Sequence, residues 1–220
     1  MMDKIKNEII KIGKKLYENG FIVATEGNIS FRLDENRILI TASGLGKGEM
    51  TAEDLVEADL DGNPLQSGKQ PSTEIRMHTR VYRERPDVSA VVHAHPPHVV
   101  SLSLAGIELD QPYLAESALL LGSVPTAPYG RPSTQQVPDS ILPFIKNTDV
   151  IILSRHGSLT IGKSLTEAYY KLEILEHTAK IVWLARQAGE LHPLNKSEIS
   201  ELMALREKVY GLTYPIIPFE

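Results

Sequence analysis

Val91-Val92-His93-Ala94-His95-Pro96-Pro97-His98 places three of the chain's seven histidines directly after an apolar run. From Ser89 to His95 the apolar residues are nearly unbroken, which predicts a central strand covered on both faces. Residues two apart on a strand point to the same side, so His93 and His95 project together while Ala94 turns into the opposite layer. Pro96 and Pro97 then redirect the chain, and a three-residue step does not keep the strand face, so His98 is predicted not to join the pair.

A second buried-type strand, 148–153, ends in Ser154-Arg155-His156-Gly157-Ser158. His156 is the best third partner, because it too stands where a buried strand emerges. The chain has no cysteine, so a metal must rely on His, Asp or Glu. A catalytic zinc commonly takes three protein ligands, with imidazole nitrogens at roughly 2.0–2.1 Å. His-x-His at one strand end with His-Gly at another points to such a site. His78 lies inside the helix after Glu74, where it could donate to a neighbour but reads first as packing, and His177 and His192 suggest no site.

The other elements follow from local pattern. Ile5, Ile9, Ile12 and Leu16 form one stripe of a helix over residues 3–19. Short strands are predicted at 29–33, 37–41 and 55–60, forming an antiparallel beginning to the sheet. Helices are predicted at about 73–85, 97–105, 115–122, 164–186 and 197–209, the long one packing inward through Tyr169, Leu172, Leu175, Ile181 and Leu184. No repeat or linker interrupts 1–220, which reads as one mixed α/β domain.

Composition removes other classes. At 42% hydrophobic and 23% charged the chain is globular rather than disordered or fibrous. The net charge is −5 and no dense Lys/Arg cluster exists, Lys11, Lys14 and Lys15 being one solvated helix face, so no nucleic-acid partner is expected. No apolar run of about 18 residues and no signal-peptide core are present, so a cytoplasmic protein without membrane association is expected.

Taken in order, GNIS (27–30), TASG (41–44), PSTE (71–74), VVHAHPPH (91–98) and SRHG (154–157) resemble the class II aldolase and adducin head family, in particular its L-fuculose-1-phosphate aldolase branch. The resemblance implies a three-layer α/β/α sandwich with a central mixed, largely antiparallel sheet, and a homotetramer with active sites at subunit interfaces. It implies one divalent metal per subunit, Zn2+ first with Mn2+, Co2+ or Fe2+ as alternatives, held by His93, His95 and His156. Glu74 would be the catalytic carboxylate. Asn28, Ser43, Gly44, Ser72 and Thr73 would surround a substrate phosphate, and Ser72 and Thr73 at a predicted helix start suit an anion physically as well. Tyr113 and Tyr210 would reach an adjacent subunit's site, one of them exchanging a proton with the aldehyde oxygen.

The implied reaction is reversible cleavage of a ketose 1-phosphate, such as L-fuculose 1-phosphate or a related deoxyketose or pentulose phosphate, into dihydroxyacetone phosphate and an aldehyde. Related 4-epimerases use a late His, and this chain has none after His192. Dehydratases use a Glu where Glu116 stands, a residue read first as a helix-start charge, and decarboxylases share the family. The rival from another class is a non-catalytic interaction module like the adducin head, which lacks the metal constellation.

Overall fold

The structure, a computed structural model, describes residues 2–219. Among them seven strands form one sheet in the order β3-β2-β1-β4-β7-β6-β5. They are β1 (Asn28–Arg32), β2 (Arg37–Thr41), β3 (Leu55–Asp59), β4 (Ala90–Ala94), β5 (Thr126–Ala127), β6 (Val150–Leu153) and β7 (Gly157–Gly162). Every neighbouring pair is antiparallel except β5 with β6, so the sheet is mixed and largely antiparallel.

All five residues of β4 are buried, as its apolar run requires. Val91 packs into a layer with Met77, Val81 and Tyr82 of α2 (Ile75–Glu84). Ala90, Val92 and Ala94 face the other way, onto Ile9, Ile12 and Leu16 of α1 (Met2–Glu18) and Tyr169 and Leu172 of α6 (Leu165–Ala188). Val99 and Leu102 of α3 (Pro97–Leu104) extend that second layer over β6 with Leu175, Ala179 and Val182. Helices therefore cover both faces, and the architecture is the three-layer α/β/α sandwich. No helix among the described residues is long and apolar enough to cross a membrane.

Several elements depart from local pattern. β7 was not expected: its Ser158 and Thr160 interrupt the apolar signal, yet both are fully buried because their hydroxyls bond to the carbonyls of Ala94 and of Val92 and Ala168. β5 and α5 (Gln136–Ile141) lie in a proline-rich stretch that masks them, with Pro138 tolerated in the first helical turn. Ile181 and Leu184 do not face inward; Ile181 is half-buried and Leu184 is exposed. At 3.6 residues per turn Ile181 lies opposite Leu172, and Leu184 a third of a turn away, so neither belongs to the Leu172–Leu175–Ala179–Val182 stripe. The remaining helices are α4 (Ala115–Leu120) and α7 (Lys196–Lys208).

A buried charge network ties the layers together. Asp149, just before β6, lies 2.8 Å from Arg85 Nη2 and 2.7 Å from Lys171 Nζ, and all three residues are almost wholly buried. Lys171 also meets Glu167 at 2.6 Å. Arg85 also meets Asp87 at 2.8 Å, but Asp87 and Glu167 are more exposed, so removing Asp149 takes from both cations the one carboxylate that is buried with them. Asp149→Ala is expected to destabilise the protein by about 3–5 kcal/mol in urea unfolding, and a loss below 1 kcal/mol would contradict this account.

Candidate metal centre and its cleft

His93, His95 and His156 converge. Their ligand-bearing atoms all lie within 4.8 Å of one another, and the ring centroids are 4.9, 4.8 and 5.0 Å apart. His93 is the penultimate residue of β4, and His95 follows the strand with its amide bonded to Phe21 O at 2.9 Å. His156 sits in the hairpin between β6 and β7, closed by its own amide to Leu153 O at 3.0 Å and by Arg155 at φ 55.

Gly157 makes this approach possible. A Cβ there would fall 2.4 Å from Ala94 O, 2.7 Å from His95 Cδ2 and 3.2 Å from His93 Cε1. The first obstacle is backbone in a paired strand, which cannot move aside.

Outer partners set the tautomers. His93 Nδ1 donates to Ser158 O at 2.8 Å, and His95 Nδ1 faces the Glu26 carboxylate at 3.2 Å, so in the neutral rings both Nε2 atoms carry lone pairs. These Nε2 atoms are 3.0 Å apart. Two lone pairs that close repel unless a proton or a cation lies between them. Burial, followed by the charge of His93, lowers the His95 pKa to about 3, and the same two causes bring His156 to about 4. Burial also opposes charge on His93, but the adjacent Glu74 carboxylate outweighs it and raises that pKa. Three inward imidazoles, each backed or buried, form a donor set suited to a divalent metal.

Glu74 leans over the cluster, its Oε2 3.1 Å from His93 Nε2 and its Oε1 3.4 Å from His156 Nε2. Asn28 Nδ2 donates to Oε2 at 2.9 Å. Burial alone would raise this carboxyl, yet His93, His156 and Asn28 hold it well below the usual carboxylate range. Oε1 is buried without a hydrogen-bond partner.

The cluster opens onto a cleft of about 390 Å³ whose lining includes Glu74, His95 and His156 together with Asn28, Ser43, Gly44, Ser72 and Thr73. The five residues expected to meet a phosphate thus share one cavity with His95, His156 and Glu74. The helix start differs from expectation: α2 begins at Ile75 with Glu74 as its N-cap, so Ser72 and Thr73 form the preceding turn. Ser43 and Ser72 amides are bonded to Gln70 and Thr41 carbonyls, so the hydroxyls are the donors these two offer. Gly44, at φ 74, holds a backbone conformation that side chains disfavour.

Within one chain neither tyrosine lines this cleft. Tyr113 packs against the Val99–Leu102–Leu109 cluster, and Tyr210 is exposed beyond α7. Glu116 lies in the first turn of α4 and faces a different cavity, of about 830 Å³. His98 is outside the cluster, as expected, with Nδ1 2.6 Å from Glu176.

Sequence pattern missed Glu26 and Lys47, and it ranked packing above hydrogen bonding for His78. Lys47 lines the cleft, and its buried ammonium donates to Thr25 O at 2.6 Å. Burial lowers its pKa to about 8 against the opposing pull of Glu74 and Glu26. Its signal was a lysine inside the glycine-rich loop 43–48. His78 is fully buried and bonded to Asn28 and Ser30, and its spacing from Glu74 places both on one helix face.

The sequence model of the Class II Aldolase and Adducin N-terminal domain matches residues 7–183. The L-fuculose phosphate aldolase of Methanococcus maripaludis is 34% identical over 177 residues, covering 80% of this chain and 95% of that protein. The 3-oxo-tetronate 4-phosphate decarboxylase of Pectobacterium atrosepticum is 30% identical over 203 residues, covering 90% and 92%. The crystal structure of L-fuculose-1-phosphate aldolase from Thermus thermophilus superposes with a TM-score of 0.76 at 31% identity, covering 88% of this chain and all of that one.

Two substitutions check the centre. His95→Ala is expected to abolish stoichiometric divalent metal, measured by elemental analysis after zinc loading and gel filtration. Gly157→Ala is expected to lower metal content likewise and to cost about 1–3 kcal/mol of stability, and full metal retention by it would contradict the packing described.

Proposed function

Since the chain belongs to the class II aldolase and adducin N-terminal domain family, we propose that it is a metal-dependent aldolase. In this reading it cleaves a ketose 1-phosphate reversibly into dihydroxyacetone phosphate and an aldehyde. The observation that carries the reading is Glu74: a buried carboxylate over the three-histidine cluster, with one oxygen anchored by Asn28 and the other facing His156 at 3.4 Å without a hydrogen bond. A non-catalytic module would have no use for that arrangement.

His93, His95 and His156 would hold one divalent cation, zinc first, which when bound draws electron density from the substrate ketone. Glu74 removes the carbon-bound proton in the condensation direction and returns it during cleavage. Ser43, Ser72 and Thr73 hydroxyls, with the Gly44 backbone, receive the phosphate in the same cleft, while Asn28, also lining it, has its side-chain amide bonded to Glu74 and His78. Tyr113 or Tyr210 exchanges a proton with the aldehyde oxygen. Neither reaches the cleft of its own chain, so the donor would come from a neighbouring subunit of a homotetramer. The protein works as a single-domain cytoplasmic enzyme in this reading.

Lys47 favours a second reading, decarboxylation of a sugar-acid phosphate. A buried ammonium in the cleft is a suitable partner for a substrate carboxylate, and relatives named as decarboxylases match nearly the whole chain.

The metal-loaded protein should be incubated with a panel of ketose 1-phosphates and with 3-oxo-tetronate 4-phosphate, and products identified by mass. Dihydroxyacetone phosphate is expected from a ketose 1-phosphate; carbon dioxide from the oxo acid, without aldol cleavage, would replace this reading with the second. Glu74→Gln is expected to retain metal and lose about 10²–10⁴-fold in turnover, and undiminished turnover would remove Glu74 from its role.

A further inference from the structure

Glu74 is held from below as well as by the histidines. Tyr82 OH lies 2.7 Å from Ser30 Oγ, and Ser30 Oγ lies 2.6 Å from His78 Nδ1. His78 Nε2 is 2.5 Å from Asn28 Oδ1, and Asn28 Nδ2 is 2.9 Å from Glu74 Oε2. Asn28, Ser30 and His78 are 3%, 0% and 0% exposed, so water cannot replace any of these partners.

The direction of every bond follows from its carboxylate end. An ionised carboxylate only accepts, so Asn28 turns its NH2 group towards Glu74 and its carbonyl oxygen towards His78. His78 Nε2 must then carry a proton, because two acceptors at that distance would repel. A neutral imidazole protonated at Nε2 accepts at Nδ1, and the Ser30 hydroxyl is the donor there. Tyr82 donates to Ser30 in turn. Burial, followed by the charge of His93, pushes the His78 pKa down to about 3, which keeps this ring neutral at neutral pH.

We propose that His78 is a positioning residue: locked as the Nε2–H tautomer, it sets the rotation of the Asn28 amide, which anchors Glu74 Oε2 and leaves Oε1 as the atom that transfers the proton. The inference rests on Glu74 being the proton-transfer group. The two oxygens differ as it requires, since Oε2 accepts from Asn28 while Oε1 is buried with no hydrogen-bond partner. A histidine present only for packing would need neither a fixed tautomer nor a donor aimed at Asn28.

Two measurements test it. In long-range proton–nitrogen correlation spectra of the 15N-labelled protein, His78 should show the Nε2–H tautomer, its signals identified by their loss in His78→Gln. An Nδ1–H tautomer, or a protonated ring at neutral pH, would overturn the proposal. In steady-state kinetics of the metal-loaded enzyme, His78→Phe should lower kcat about 10–100-fold with KM within about threefold. His78→Gln, whose amide nitrogen can stand where Nε2 does, should stay within about fivefold of the parent kcat. Equal losses in the two variants, or a change confined to KM, would also overturn it. If His78→Phe fails to fold by circular dichroism, the tautomer of the unsubstituted protein decides. If that protein turns over no ketose phosphate, the aldolase reading falls, while the tautomer still settles what His78 does.

Discussion

β4 and β7 lie side by side with His93 opposite Leu159 and Ala94 opposite Ser158, and the distances of the site derive from that register. It brings the Ser158 carbonyl to His93 Nδ1 and sets Gly157 against the two strand-end histidines. It also delivers His156 one residue before the paired strand begins. A one-residue slip would send His93 into the α1–α6 layer and remove it from Glu74. The buried hydroxyls of Ser158 and Thr160 resist that slip, because each is matched to a particular carbonyl across the ladder or on α6.

The electrostatics of the cleft are built around this framework. Glu74 and Glu26 stand on two sides of the imidazole cluster, and Lys47 brings a positive charge to the same cavity. Burial opposes protonation of His95 and His156, so they remain neutral nitrogen donors, while Glu74 stays ionised beside them. Ser43, Ser72 and Thr73 hydroxyls line the same cleft, with Ser72 Oγ accepting from the Glu74 amide at 3.3 Å.

The histidine site was legible because its signals are local: a two-residue period for His93 and His95, and a strand exit for His156. Glu74 was legible through the order of motifs rather than any periodicity. What stayed hidden are pairings between distant residues, such as Asn28 with Glu74 at a separation of 46 and Ser30 with His78 at 48. These depend on the packing of α2 over β1, which no window of sequence contains. β7 was hidden for a related reason, since its polar residues read as loop until the neighbouring carbonyls that satisfy them are known.

α7 has a different standing from the rest of the molecule. None of its residues is buried, and of the three bonds that Arg206 makes, to the carbonyls of Leu119, Leu212 and Tyr214, only the first reaches α4 while the others close onto the tail. An element with so few buried contacts is expected to open locally at a free energy below that of global unfolding. Tyr210 lies just beyond it, so fixing that ring carries a conformational-entropy cost met only when something packs against it. Beyond Tyr210 the tail is tied back by Tyr214 OH to Leu120 O and Ser123 N to Ile217 O, both 2.9 Å, so the ordering of the α7 end can be coupled thermodynamically to association.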